Sequence, residues 1–172
     1  MIHIPRRQWS RRPPPNTEPV YLTAQGLKRL EARLARLKRS LPAAIEEAAR
    51  TAAYGDRSDN AEYKEAKGIL RRMRGQILNV EDQLRRAVRI PEGADAAGKI
   101  RLGSTVILII KKGGGSIRKT FRIVGSSETD PARGRISHTS PLGTALIGHG
   151  AGDAVGVDTP GGKQEYIVRE VR

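Results

Sequence analysis

Apolar residues recur in steps of three and four along two stretches of the chain, which a short polar segment separates. This spacing is the heptad pattern of a coiled-coil seam. The first seam consists of Leu27, Leu30, Leu34, Leu37, Leu41, Ile45, Ala48 and Ala52, and the second of Tyr63, Ala66, Leu70, Met73, Ile77, Val80 and Leu84. Two matched seams predict an antiparallel helical hairpin over residues 20–91, with Thr23 as the first N-cap and a kink at Pro42.

Beyond Pro91 the apolar residues change to the period of β-strands. We predict strands near residues 105–110, 117–123, 154–158 and 164–171, and a short helix that starts at Ser140 and Pro141. The predicted fold class is therefore α+β: an N-terminal antiparallel coiled-coil helical hairpin followed by a small antiparallel-sheet domain with one short helix. Residues 92–101 are predicted to form a linker, and residues 102–172 the second domain.

Charge and composition narrow the classes of function. The chain has 32 Lys and Arg against 18 Asp and Glu, a formal net charge of +14, half of which falls within the hairpin. This excess favours an anionic partner such as nucleic acid. Residues 1–19 have no apolar period and are predicted to form a disordered basic arm. The absence of cysteine excludes disulfides and the usual zinc sites, and no apolar run is long enough to span a membrane.

The segment between the two seams carries the most informative motif, Gly-Asp-Arg-Ser-Asp-Asn-Ala-Glu-Tyr at residues 55–63. One interpretation is structural: Gly55 ends the first helix, and Asp59 caps the second through a capping box with Glu62. The other is functional, because Asp56 and Asp59 on an exposed turn offer carboxylate oxygens to Mg²⁺. Two carboxylates cannot complete the coordination of this ion, so self-contained catalysis is not expected.

This tip motif, with a proline 13 positions before its glycine, resembles that of the Gre transcript-cleavage factors. Its first four residues and the basic residues after it are more similar to the GreB branch than to the GreA branch. The second domain resembles the FKBP-like C-terminal domain of the family. The segments that carry this second resemblance are Ser140-Pro141-Leu142, Ala145-Leu146-Ile147-Gly148, Gly152-Asp153 and Thr159-Pro160-Gly161-Gly162. Together the resemblance covers about residues 20–172.

The resemblance implies a bacterial, cytoplasmic transcription elongation factor. The globular domain would dock on RNA polymerase, and the hairpin, with its acidic tip at residues 55–62, would enter through the secondary channel. Asp56 and Asp59 would help to hold the second Mg²⁺ of the polymerase active centre and orient the attacking water, so that the polymerase itself hydrolyses backtracked nascent RNA. Contacts to RNA or polymerase are expected from Arg57, Ser58, Asn60, Lys64, Lys67 and Arg71. We expect a monomer that is not itself an enzyme and has no membrane partner.

One departure from the family pattern leaves other hypotheses open. The second acid of the family is usually glutamate, whereas Asp59 is one methylene shorter and is expected to lower activity. A second hypothesis is therefore a non-cleaving regulator or inhibitor that occupies the same channel. A third is a general nucleic-acid-binding or DNA-binding protein, which the charge supports but no recognised reading motif does. The two aromatic residues of the second domain, Phe121 and Tyr166, are predicted to be core residues rather than a prolyl isomerase pocket.

Overall fold

The computed structural model describes residues 17–53, 60–112, 115–159 and 162–172. The helices are α1 (Ala24–Ala52), α2 (Ala61–Arg85) and α3 (Pro141–Leu146). The strands are β1 (Val20–Leu22), β2 (Ala87–Arg89), β3 (Thr105–Lys112), β4 (Gly115–Val124), β5 (Arg135–Ser137), β6 (Ala154–Thr159) and β7 (Gly162–Val171). Short 3-10 turns cover Ser126–Glu128 and Pro131–Arg133. A helical hairpin followed by a sheet domain confirms the predicted α+β class. Residues 1–16 of the predicted basic arm lie outside the described residues.

Both long helices form where the heptad pattern predicts them. Thr23 caps α1, because its hydroxyl oxygen accepts a hydrogen bond from the Gly26 N–H at 2.9 Å. The seam side chains are buried or half-buried, except that of Ile45, which is 42% exposed. An ion pair of 2.7 Å between Lys38 and Glu81 links the two helices beside the seam. Pro42 lies inside α1, which continues to Ala52 as predicted, and the kink expected there stays a prediction.

The base of the hairpin carries a small parallel sheet that the apolar pattern did not predict. β1 precedes α1 and β2 follows α2, and the two strands pair in parallel with Val20 opposite Ala87 and Leu22 opposite Arg89. Each strand has only three residues, too few to show an alternating pattern. This pairing brings the two ends of the hairpin together where it meets the second domain.

The second domain, called the β-domain below, contains a five-stranded sheet in the order β5-β4-β3-β7-β6. Three of its four pairings are antiparallel, as predicted, but β5 pairs in parallel with β4, from Arg122 opposite Arg135 to Val124 opposite Ser137. The prediction of an antiparallel sheet is therefore confirmed except at this edge. β5 has three residues and no periodic signal of its own.

Aliphatic side chains from one face of this sheet and from α3 form the core. The core consists of Ile100, Val106, Leu108, Ile123, Ile136, Leu146, Val155, Val157 and Val168. Phe121 and Tyr166 pack against it, as predicted. Ile100 lies inside the predicted linker but is 1% exposed, so that segment packs with the β-domain. The Ser140 hydroxyl accepts a hydrogen bond from the Gly143 N–H at 3.1 Å, which confirms the predicted cap of α3.

Candidate functional site

The predicted site is the tip of the hairpin. Asp56, Arg57, Ser58 and Asp59 lie outside the described residues. The structure does describe the two stems that flank the tip. α1 ends at Ala52, where the Ala53 N–H donates to the Arg50 carbonyl at 3.1 Å, and the chain is described again from Asn60.

The side chain of Asn60 joins the two stems of the tip. Its Oδ1 accepts a hydrogen bond from the Tyr63 N–H at 2.9 Å and thereby caps α2. Its Nδ2 donates to the carbonyl of Thr51, also at 2.9 Å, in the last turn of α1. One amide group therefore bonds both to an N–H in the first turn of α2 and to a carbonyl in the last turn of α1. We call this pair of hydrogen bonds the Asn60 bridge.

The Asn60 bridge corrects the structural interpretation of the motif. Sequence reasoning placed the cap of α2 at Asp59, with Glu62 as its capping-box partner, but the cap is Asn60. Both residue types cap helices well, so the sequence offered no strong preference between neighbouring positions. Asn60 was also predicted to contact RNA or polymerase. Within the protein, its side chain fixes the stems relative to each other.

Thr51 is a residue of this site that sequence reasoning missed. It is 1% exposed, and its hydroxyl donates to the Glu47 carbonyl at 2.9 Å, within α1. In the sequence, Thr51 is marked only as a small polar residue next to the seam position Ala52, which is a weak sign of a role in the site. The Thr51 carbonyl accepts the hydrogen bond from Asn60. Because Thr51 is buried, this end of α1 is held in place.

The basic residues predicted after the tip lie together on α2. Lys64, Lys67 and Arg71 are all exposed, and their spacing of three and four places them on one side of the helix. The Nζ of Lys67 lies 5.6 Å from the centroid of the Tyr63 ring, within the range of a cation–π contact. Among the described residues, none of the three forms an ion pair with a carboxylate. Three exposed cationic side chains therefore lie together near the start of α2.

An acidic residue on α1 keeps its charge close to the tip. The guanidinium of Arg50 donates to both oxygens of Glu47, at 3.0 and 2.7 Å. This hydrogen bonding by Arg50 holds the pKa of the exposed Glu47 carboxyl below its usual value. Glu47 is therefore ionised at neutral pH.

The described ranges hold neither a metal-site cluster nor a candidate membrane helix. No group of three or more His, Cys, Asp or Glu residues there is placed to hold a metal ion. No helix there is both long and apolar enough to cross a membrane.

Two family models match the chain, one in each part. The model described as "Transcription elongation factor, N-terminal" matches residues 20–88. The model described as "Transcription elongation factor, GreA/GreB, C-term" matches residues 95–172.

Curated relatives match the chain over most of its length. The chain is 40% identical over 155 residues to transcription elongation factor GreA of Phenylobacterium zucineum (strain HLK1), covering 90% of this chain and 98% of the relative. It is also 40% identical over 153 residues to GreA of Anaeromyxobacter sp. (strain K), covering 88% and 91%. Both relatives are named GreA, so the prediction of a closer likeness to the GreB branch is not supported.

Among solved structures, the chain is similar to GreA factor homolog 1 (Gfh1) of Thermus thermophilus. The two are 32% identical, the match covers 90% of this chain and 99% of that chain, and the TM-score is 0.40.

Proposed function

Because the chain belongs to the GreA/GreB family of transcription elongation factors, we propose that it stimulates hydrolysis of backtracked RNA by RNA polymerase. In this proposal the polymerase is bacterial and the factor acts as a cytoplasmic monomer. The β-domain docks on the polymerase, and the hairpin enters the secondary channel with its tip first. The nascent RNA is then cut by the active site of the polymerase.

The Asn60 bridge is the observation that carries this proposal. It ties the end of α1 to the start of α2, so the two stems that flank residues 54–59, the segment with both tip acids, are held together. α1 has 29 residues, so the hairpin is about 43 Å long. A long, narrow element with an acidic motif at its far end suits delivery of carboxylates into a buried site.

In the proposed mechanism, Asp56 and Asp59 add ligands to a Mg²⁺ ion in the polymerase active centre. Carboxylate oxygens are the ligands that Mg²⁺ prefers, and the metal ion would lower the pKa of the attacking water. Two carboxylates supply only part of an octahedral coordination sphere, so the polymerase and water must supply the rest. On this basis the protein assists catalysis and is not itself an enzyme.

In this proposal, the basic face of α2 contacts the RNA. Lys64, Lys67 and Arg71 lie within three turns of the tip and are exposed. Together with Arg57 and Ser58, they would contact the phosphates of the extruded RNA or the channel wall. Asn60 would act indirectly, by fixing the stems of the tip.

A cleavage assay on stalled, backtracked elongation complexes tests the proposal. Addition of the protein should shorten the RNA from its 3′ end, and Asp56→Asn should abolish this stimulation by removing a negatively charged ligand. Glu46→Gln is the matched control, because Glu46 is an exposed carboxylate of α1 outside the tip. Binding to polymerase should be equal for all three proteins. Full cleavage by Asp56→Asn would refute the mechanism, as would Mg²⁺-dependent RNA cleavage by the purified protein alone.

A non-cleaving regulator is the second candidate, and the aspartate at position 59 favours it. Since Asn60 caps α2, a helix-capping role does not account for Asp59. If Asp59 orients the water, Asp59→Glu should preserve or raise the cleavage rate, and Asp59→Asn should lower it without changing thermal stability. If neither the parent nor Asp59→Glu stimulates cleavage while both still bind polymerase, the regulator is the better proposal.

A further inference from the structure

A buried carboxylate of the β-domain holds the base of the hairpin. Glu128 ends the 3-10 turn Ser126–Glu128, which follows β4, and is 7% exposed. Its Oε2 accepts a hydrogen bond from the Thr23 N–H at 2.5 Å, and its Oε1 accepts one from the Thr23 hydroxyl at 2.9 Å. The same Oε1 accepts from Nη2 of Arg29 at 2.7 Å. All three donors belong to the first turns of α1 or its cap.

Thr23 couples this contact to the start of the helix. Its hydroxyl donates to Glu128 and accepts from the Gly26 N–H, so one group serves both the joint and the helix cap. Thr23 is 3% exposed, and its donors therefore have no access to bulk water. If the carboxylate were removed, these buried donors would be left unsatisfied, which is unfavourable.

Two glycines allow the hairpin and the β-domain to approach this closely. A Cβ on Gly26 would lie 2.1 Å from Oε1 of Glu128, and a Cβ on Gly125 would lie 2.0 Å from the Tyr21 carbonyl oxygen. Neither glycine has a positive φ. Glycine is therefore required at these two positions by the close approach and not by the backbone conformation. Glycine is less favourable than alanine inside a helix. At Gly26 the contact with Glu128 is therefore made at the expense of helix propensity.

We infer that Glu128 is a positioning residue that sets the direction of the hairpin relative to the β-domain. Its effect on cleavage rests on the proposed function. Because the hairpin is about 43 Å long, a rotation of about 10° at its base would move the tip by about 7 Å. Functional groups must be held within about 0.5 Å of their productive positions. The tip acids can therefore act only if this distant joint is rigid.

Glu128→Gln is the most informative substitution at this joint. Glutamine keeps the shape of the side chain, but it offers one acceptor oxygen and turns an NH₂ group towards donors of the hairpin. Gly26→Ala tests the other side, because it improves helix propensity while placing a Cβ against the carboxylate. Thr23→Ser is the conservative control, since it keeps both the hydroxyl and the cap. Glu47→Gln is the matched control, because it removes an exposed ion pair within α1.

Electron paramagnetic resonance distances on the full chain measure the joint directly. The chain contains no cysteine, so spin labels can be placed at Glu65→Cys on α2 and Arg169→Cys on β7, both exposed positions. The parent, Thr23→Ser and Glu47→Gln should give one narrow distribution. Glu128→Gln and Gly26→Ala should broaden it about twofold, because fewer satisfied donors hold the angle. An unchanged width in both variants would overturn the inference.

Cleavage of backtracked RNA by the same unlabelled proteins tests the functional step. Glu128→Gln should lower the stimulated rate about tenfold or more, because reacting groups are misplaced, while polymerase binding persists. A broadened distribution with an unchanged rate would overturn the positioning role. If the parent stimulates no cleavage, the proposed function fails, but the distance measurement still decides whether Glu128 holds the angle. Circular dichroism checks folding, and Arg29→Met, which removes the guanidinium donor to Glu128 and leaves the Thr23 cap of α1 in place, replaces Glu128→Gln if that variant unfolds.

Discussion

The two ends of the hairpin are held by different kinds of contact. At the tip, the Asn60 side chain bonds to the backbone of Thr51, nine positions earlier, and to that of Tyr63 in its own helix. At the base, Glu128 bonds to Thr23, which is 105 positions away. The tip contact is neutral and half-buried, whereas the base contact uses a charged group that is almost fully buried.

Because of this difference, the stems of the tip can be joined independently of the contact that sets the direction of the hairpin. Contacts between residues close in sequence need little loop closure, so the Asn60 bridge can form as soon as the two helices pair. The contact of Glu128 needs the folded β-domain as well as the hairpin. The stems of the tip are thus joined by a local contact, while the direction of the hairpin depends on the tertiary structure.

The largest effect is expected from breaking the bridge at the tip. Asn60→Ala removes both hydrogen bonds and should lower stimulated cleavage about tenfold, because the two stems that carry the tip are no longer joined. It should also cost about 1–2 kcal/mol in the free energy of unfolding, the usual cost of a lost cap. Urea denaturation and the cleavage assay measure the two effects. In contrast to Glu128→Gln, Asn60→Ala should leave the spin-label distance unchanged.

Asn60→Asp sharpens this test, because aspartate keeps the capping oxygen but cannot donate to the Thr51 carbonyl. Stability should then stay near that of the parent while cleavage falls. Equal cleavage by the parent and Asn60→Asp would show that the bond to Thr51 does not matter for the tip.

A smaller and more selective effect is expected from the basic face of α2. Neutralising Lys64, Lys67 and Arg71 together to glutamine should weaken action on deeply backtracked complexes several-fold more than on shallow ones, with a lower salt dependence. The control substitutes Lys28, Arg36 and Arg39, exposed basic residues of α1 further from the tip, in the same way. If both triple variants behave alike, the three residues of α2 act only through net charge.

The smallest effect is expected from acid titration at the base of α2. Hydrogen bonds from Arg86 and Arg85 hold the pKa of the Asp82 carboxyl below its usual value of 3.8. A lowered folded pKa means that the ionised form stabilises the fold at neutral pH, and that this stabilisation is lost as pH falls through the folded value. Asp82→Asn should therefore flatten the loss of thermal stability below about pH 4 and leave the tip contacts unaffected. If the melting temperatures of the parent and of Asp82→Asn fall in parallel as the pH is lowered, this prediction is wrong.

The sequence by itself determined the hairpin and the sheet domain, and it predicts the candidate site at the tip. The heptad seams are local signals, and so are the caps at Thr23 and Ser140, whose hydroxyls bond to N–H groups three residues later. The strands β3, β4, β6 and β7 are six or more residues long and carry enough alternation to be recognised. Each of these features depends on residues within a few turns or one strand of each other.

The tertiary structure decided the remaining features. β1, β2 and β5 are too short to be recognised alone and exist because a neighbouring strand satisfies their backbone groups. The cap of α2 falls on Asn60 rather than Asp59, where the amide also reaches Thr51 of the other helix. Nothing in the local sequence of Glu128 distinguishes it from a surface carboxylate. Its role comes from three donors of α1 and its cap that only the folded chain brings within hydrogen-bonding distance.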